Sequence, residues 1–185
     1  MLQELSLSVL DIVSNSIRAG ANLVEITIDV NRDKDTLIID ITDNGCGMTK
    51  EQLLMVEDPF FTTRTSRTIG LGVPFFKMAA LSTGGSFSIN SAPGAGTKVT
   101  ATFILSHIDR MPLGDINSTI HSLIIANTQI DFVYTYKFDG KGFTLDTRQF
   151  RAILGNISLD SPEVSEYIKE FLTENKNETD DGYPI

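Results

Sequence analysis

Residues 40–48 read Asp-Ile-Thr-Asp-Asn-Gly-Cys-Gly-Met, an apolar strand that runs straight into Asp43 and then into two alternate glycines, Gly45 and Gly47. Glycine has no Cβ, so the backbone there can come close to a flat ligand while the Asp43 carboxylate accepts hydrogen bonds at that ligand's edge. The pattern outlines a nucleotide pocket. The same residue types also end strands in plain turns, so the decision rests on the rest of the chain.

At 185 residues, 41% of them hydrophobic, the chain suits one domain with a full core plus a modest extension. No apolar run is long enough to span a bilayer, and the N-terminus lacks the basic flank and small-residue cleavage site of a signal peptide. The expectation is a cytoplasmic protein without membrane insertion. A single cysteine, Cys46, excludes an internal disulfide and a cysteine-based metal cage. The net charge of −9 argues against nucleic acid as a partner, because duplex binding needs clustered Lys and Arg. Acidic residues concentrate only in 174–181, which reads as a solvated, disordered tail.

Along the chain, Leu2, Leu5, Val9, Ile12, Val13 and Ile17 fall at helical spacing, with Gly20 as a natural stop. Residues 23–30 and 37–42 read as strands around a polar turn, and 49–55 as a short helix. Residues 58–69 are polar and aperiodic, the pattern of a mobile loop. A helix over 73–81 follows, then strands at 86–90 and 97–105 joined by the turn 92–96. This order suits a mixed sheet with helices on one face, an α+β two-layer sandwich. Beyond residue 105 the character shifts to a helix at 112–126, a hairpin over 130–147 turning at Asp139 and Gly140, and a last helix opened by Ser161 and Pro162. Phe132, Tyr134, Tyr136 and Phe138 share one face, as core residues would. The division is an N-terminal domain of residues 1–105 and a helix-hairpin-helix extension of 106–185 that covers a sheet edge or binds a partner.

Asp11 and Asn15 stand four apart on the first helix and so share a face. The Asn15 amide oxygen is a hard ligand suited to Mg²⁺, whose other positions phosphates and water can fill. Asp11, one turn earlier, is placed to polarise a water near a terminal phosphate. Gly70, Leu71 and Gly72 lead into a helix, where free backbone N–H groups and the positive dipole end attract an anion. The loop before them carries Thr62, Thr63, Arg64, Thr65, Ser66 and Arg67, donors able to close over phosphates, and Thr97 follows Gly96 near Asp43. Each feature alone also suits an ordinary solvated helix face or surface loop.

Together these segments resemble the ATP-binding domain shared by histidine kinases, DNA gyrase B, the heat-shock chaperone ATPases and the MutL mismatch-repair proteins. Residues 10–21, Leu-Asp-Ile-Val-Ser-Asn-Ser-Ile-Arg-Ala-Gly-Ala, look like the family's N box, and 43–48 like its first glycine box. Residues 58–64, Asp-Pro-Phe-Phe-Thr-Thr-Arg, are similar to the phenylalanine box and lid of sensor histidine kinases, while 70–72 and 94–97 fit the last glycine boxes. The resemblance implies a Bergerat-type sandwich binding Mg-ATP, with Asn15 on the metal and Asp43 on the adenine amino group. It implies nucleotide contacts from Asn15, Arg18, Asp43, Gly45, Gly47, Met48, Phe60, Thr62, Thr63, Arg64, Gly70, Leu71, Gly72 and Thr97, with 59–69 as the ATP lid.

Three departures bear on mechanism. Hydrolysing members carry a glutamate four residues before the asparagine, where this chain has Asp11, one methylene shorter. Only ten residues precede Asp11 and none is histidine; His107 and His121 sit elsewhere and read as structural. The extension matches nothing in the family. The expected function is a stand-alone kinase-type domain acting on a separate protein substrate or regulator, with a homodimer allowed. The alternatives are a slow ATPase working as a conformational switch and a nucleotide-sensing module without turnover.

Overall fold

The computed structural model describes residues 4–56 and 71–185. The elements run α1 (Leu5–Arg18), β1 (Leu23–Asn31), β2 (Thr36–Asp43), α2 (Lys50–Val56), α3 (Gly72–Ser82), β3 (Ser86–Ser91), β4 (Thr97–Ile104), α4 (Ile116–Ala126), β5 (Asp131–Phe138), β6 (Lys141–Asp146), α5 (Thr147–Leu154) and α6 (Pro162–Asp180). The expected loop at 58–69 lies outside the described residues.

The six strands form one sheet in the order β3-β4-β2-β1-β5-β6. Every neighbouring pair is antiparallel except β1 with β5, which is parallel. Parallel pairing follows from the crossover through α4 between β4 and β5. The expected mixed sheet is therefore present, and β5 of the C-terminal segment pairs along the β1 edge.

Strict alternation in β1 and β2 gives the sheet two unlike faces. Val24, Ile26, Ile28 and Val30 point inward with Leu37, Ile39 and Ile41, all essentially without exposure. Thr27, Asp29, Asp40 and Thr42 point the other way and are only half-buried. Helices α1, α3, α4 and α6 supply the second layer, with Val9, Val13, Phe76, Ile120, Ile124 and Ile168 buried against the strands. The row Phe132, Tyr134, Tyr136 and Phe138 belongs to this core.

Local signals explain the boundaries. Gly20 takes φ of 75° just past α1, as a left-handed helix stop requires. Helix α2 opens on a reciprocal cap, in which the Gln52 N–H donates to Thr49 Oγ1 and the Thr49 N–H donates to Gln52 Oε1. The hairpin turns at Asp139 and Gly140, with φ of 49° and 82°, a pair of positive angles that a two-residue loop between twisted strands needs. Helix α4 begins later than its pattern predicts, because Asp115 caps it by accepting the Ser118 N–H at 2.9 Å.

Two expectations need correction. The acidic segment 174–181 is not a disordered tail; α6 runs through it to Asp180, which is 2% exposed. Lys176 and Asp180 stand one turn apart and pair at 2.6 Å, and Asp180 also accepts the Tyr136 hydroxyl at 2.7 Å. Buried pairing and a buried Thr179 hold this turn while Glu174 and Glu178 face solvent. The second correction is α5, absent from the sequence reading, whose Phe150 and Leu154 lie against the core as an i, i+4 pair. No helix among the described residues is long and apolar enough to cross a membrane.

Candidate functional site

The predicted site residues fall into two groups joined by helix α1. The first surrounds Asp43 at the end of β2, a carboxylate that is 8% exposed. Its Oδ2 accepts the Ser16 hydroxyl at 2.6 Å, and its Oδ1 accepts the Gly45 N–H at 2.9 Å and the Thr97 N–H at 3.2 Å. Three donors fix its orientation while its capacity as an acceptor is not exhausted, because an ionised carboxylate offers about four lone-pair sites.

The glycines beside Asp43 have a structural use of their own. A Cβ on Gly47 would stand 1.9 Å from the carbonyl oxygen of Ala92, and one on Gly96 the same distance from that of Asp43. The first glycine turn and the 92–96 turn thus close on each other backbone to backbone, joined by the Gly94 N–H donating to Cys46 O at 2.8 Å. Ser91 ties the same corner, accepting the Met48 N–H at 2.9 Å, donating to Gly96 O at 2.8 Å and sharing a hydrogen bond with Thr97 Oγ1. Gly45 lets this corner touch the end of α1, since a Cβ there would meet Ala19 at 2.9 Å.

The second group lines a cavity of about 820 Å³, a size that suits a small ligand. Asp11 and Asn15, one turn apart on α1, line it together with Arg18, and Leu71 and Gly72 line it from the start of α3. Arg18 donates to Asn15 Oδ1, so a cationic group already faces the amide oxygen. Gly72 packs on α1 so closely that a Cβ would come within 2.9 Å of Asp11 Cβ and 3.3 Å of its Oδ2. Among the described residues no side chain caps the N-terminus of α3, where first-turn N–H groups and the positive dipole end suit an anion.

Asp43 does not line this cavity; the link is Ser16, next to Asn15 in the chain and bonded to Asp43. Phe60, Thr62, Thr63, Arg64 and Gly70 lie outside the described residues.

Sequence reasoning missed several residues. Ser16 left a legible trace, since it occupies a position on the apolar stripe of Ile12 and Val13 and is 3% exposed. Ser91 left none. Nor did Ser122, Leu123, Ala126 and Asn127, which wall the cavity from α4 and its C-cap and so bring the extension to the site. Only long-range packing places them there. Among the described residues, no group of three His, Cys, Asp or Glu could hold a metal ion.

Comparison with known proteins gives a consistent result. Residues 3–107 match the family described as histidine kinase-, DNA gyrase B-, and HSP90-like ATPase. The Bacillus sp. sensor protein DegM is 35% identical over 92 residues, which take in 50% of this chain and 24% of DegM. The Pseudomonas aeruginosa sensor protein kinase FleS is 37% identical over 109 residues, 59% of this chain and 26% of FleS. The matched segment thus spans about a quarter of these relatives. Among solved structures, the N-terminal domain of a DNA repair protein superposes with a TM-score of 0.55 at 19% identity, covering 77% of this chain and 52% of that one. That likeness of fold runs past residue 107 into the extension.

Proposed function

Because the chain belongs to the histidine kinase-, DNA gyrase B- and HSP90-like ATPase family, we propose that it is an Mg-ATP-binding kinase-type domain that passes the terminal phosphate of ATP to a separate protein. The observation that carries this reading is the convergence of Asp11, Asn15, Arg18, Leu71 and Gly72 on one cavity whose helix ends at the Asp43 anchor.

The donor chemistry fits a magnesium ion. Asn15 Oδ1 is a hard oxygen facing the cavity and already receives a cationic group from Arg18. A single protein oxygen is enough for Mg²⁺, which takes its other ligands from phosphates and water. Bound there, the ion would neutralise charge on the phosphates.

This chain's own residues do the rest. The Asp43 carboxylate accepts from the adenine amino group. The Arg18 guanidinium, freed from Asn15, pairs with phosphate oxygens. The open N-terminus of α3 holds another phosphate through its N–H groups. Asp11, exposed in the cavity, receives the proton of the attacking group as the phosphorus–oxygen bond to the departing ADP breaks. Positioning of this kind supplies much of the rate in phosphoryl transfer.

The sensor-protein names of the matched relatives support a protein acceptor, and the net charge of −9 supports a protein partner over nucleic acid. Incubation with γ-labelled ATP and a purified candidate acceptor tests the reading. Label on the acceptor is expected. Free labelled phosphate without protein label would replace the kinase by an ATP-driven switch, and binding with neither would reduce it to a sensor.

A further inference from the structure

We propose that the groove between α5 and α6 binds a basic amphipathic helix of a partner protein. It shares no lining residue with the nucleotide cavity, so the proposal goes beyond the function above.

The groove has a volume of about 630 Å³. Phe150, Ile153 and Ile157 line it from α5 and the segment after it, and Val164, Tyr167 and Phe171 from α6. The Phe150 ring lies 6.0 Å from the rings of both Tyr167 and Phe171, so the floor is packed before anything binds. The walls are left open to water: Ile153 is 85% exposed, and Ile157 and Tyr167 are each 57% exposed. Single exposed apolar side chains are ordinary, but three converging on one concave site mark a binding surface. Ser161, whose buried Oγ has no hydrogen-bond partner among the described residues, also lines it.

Charge decides the occupant. The basic side chains nearby are already matched: Arg148 to Asp146 at 2.7 Å, Arg151 to Asp131 at 3.0 Å, and Lys169 to Glu166 at 3.8 Å. Glu163 lines the groove, and helical spacing puts Glu170 and Glu174 on the same stripe as Tyr167. None of the three has an ion-pair partner among the described residues. An apolar floor with an unpaired acidic rim repels a second copy of itself. It matches an apolar stripe flanked by Lys or Arg. A helix suits better than an extended segment, because side chains form the lining and a helix satisfies its own backbone.

The chain has no tryptophan, so a peptide carrying one Trp in its apolar stripe reports its own binding by fluorescence. The probes are a Lys-flanked amphipathic peptide of about five helical turns, its Glu-for-Lys twin, and a scramble of the Lys peptide. The full chain should bind the Lys peptide at least ~10-fold more tightly than either control. Ile153→Ser should weaken that binding ~10-fold without lowering the melting temperature, and Glu163→Lys with Glu174→Lys should reverse the preference between the twins. Equal affinity for the three peptides, no binding, or indifference to Ile153→Ser would overturn the proposal. So would sedimentation showing a dimer that Ile153→Ser dissociates, because the occupant would then be a second copy.

Discussion

Ser16 donates its hydroxyl to Oδ2 of Asp43 at 2.6 Å and thereby fastens the last turn of α1 to the end of β2. Both groups are buried, so the bond is shielded from competing water. Helix α1 carries Asn15 on the cavity side of the same turn, and this contact, with the Cys46 N–H donating to Ala19 O at 2.9 Å, holds the two halves of the site in register.

Ser16→Ala is therefore expected to weaken ATP binding although Ser16 lines neither the cavity nor a loop. The loss should be ~1 kcal/mol, the ordinary worth of one buried hydrogen bond. Calorimetric titration measures it. An affinity equal to wild type in a folded variant would show that the Gly45 and Thr97 N–H groups orient Asp43 without Ser16.

Asn15→Ala should separate metal from nucleotide. Affinity for ATP in Mg²⁺ is expected to fall to the level wild type shows in EDTA, with no further loss when EDTA is added to the variant. A variant that keeps its response to Mg²⁺ would move the metal off Asn15.

Two glycines on facing turns should differ sharply when each is changed to alanine. At Gly47 a Cβ collides with the Ala92 carbonyl at 1.9 Å, whereas at Gly94 nothing among the described residues lies within 4 Å. Both take positive φ, so Gly94→Ala should cost only the left-handed penalty of about 1–2 kcal/mol. Gly47→Ala must also push two turns apart, and its melting temperature should fall well below that of Gly94→Ala.

Tyr134 and Tyr136 stand two residues apart on β5 and should respond oppositely to phenylalanine. The Tyr134 hydroxyl is buried without a partner among the described residues, and burial pushes its pKa well above the usual phenol range. Tyr134→Phe should be neutral or stabilising. Tyr136 donates to buried Asp180, and its removal should cost about 1–3 kcal/mol by leaving that carboxylate short of a donor. Urea unfolding of the two variants makes the comparison.

Asp115 caps α4, and hydrogen bonds from the Ser118 backbone and hydroxyl hold its pKa below the ordinary 3.8. A carboxylate depressed in the folded state stabilises above its unfolded pKa and loses that contribution as pH falls through the folded value. Asp115→Ala should cost ~1 kcal/mol at neutral pH. The gap from wild type should close below pH 3.8, as thermal melts across acid pH would show.

Much of this architecture was legible from local pattern. The stripe from Leu5 to Ile17, the alternation in β1 and β2, and the Asp139-Gly140 turn each state their structure within a few residues. The Asp11 and Asn15 spacing placed both on the cavity. Contacts between distant segments were not legible. Asp180 reads as one more tail acid until Tyr136 arrives beneath it, and α5 is too short to repeat its apolar pattern. The glycines at 45 and 47 read as room for a ligand, whereas their nearest neighbours are Ala19 and Ala92.

Helix α4 belongs to the segment beyond the family match, yet its Ser122 and Ala126 share a cavity with Asn15 and Arg18. It also packs on α6, where His121 Nε2 lies 3.0 Å from the Ser165 carbonyl. A displacement of α6 would therefore have only α4 to cross before it changed the shape of that cavity. Whatever lies against α6 is thus separated from that cavity by the thickness of a single helix.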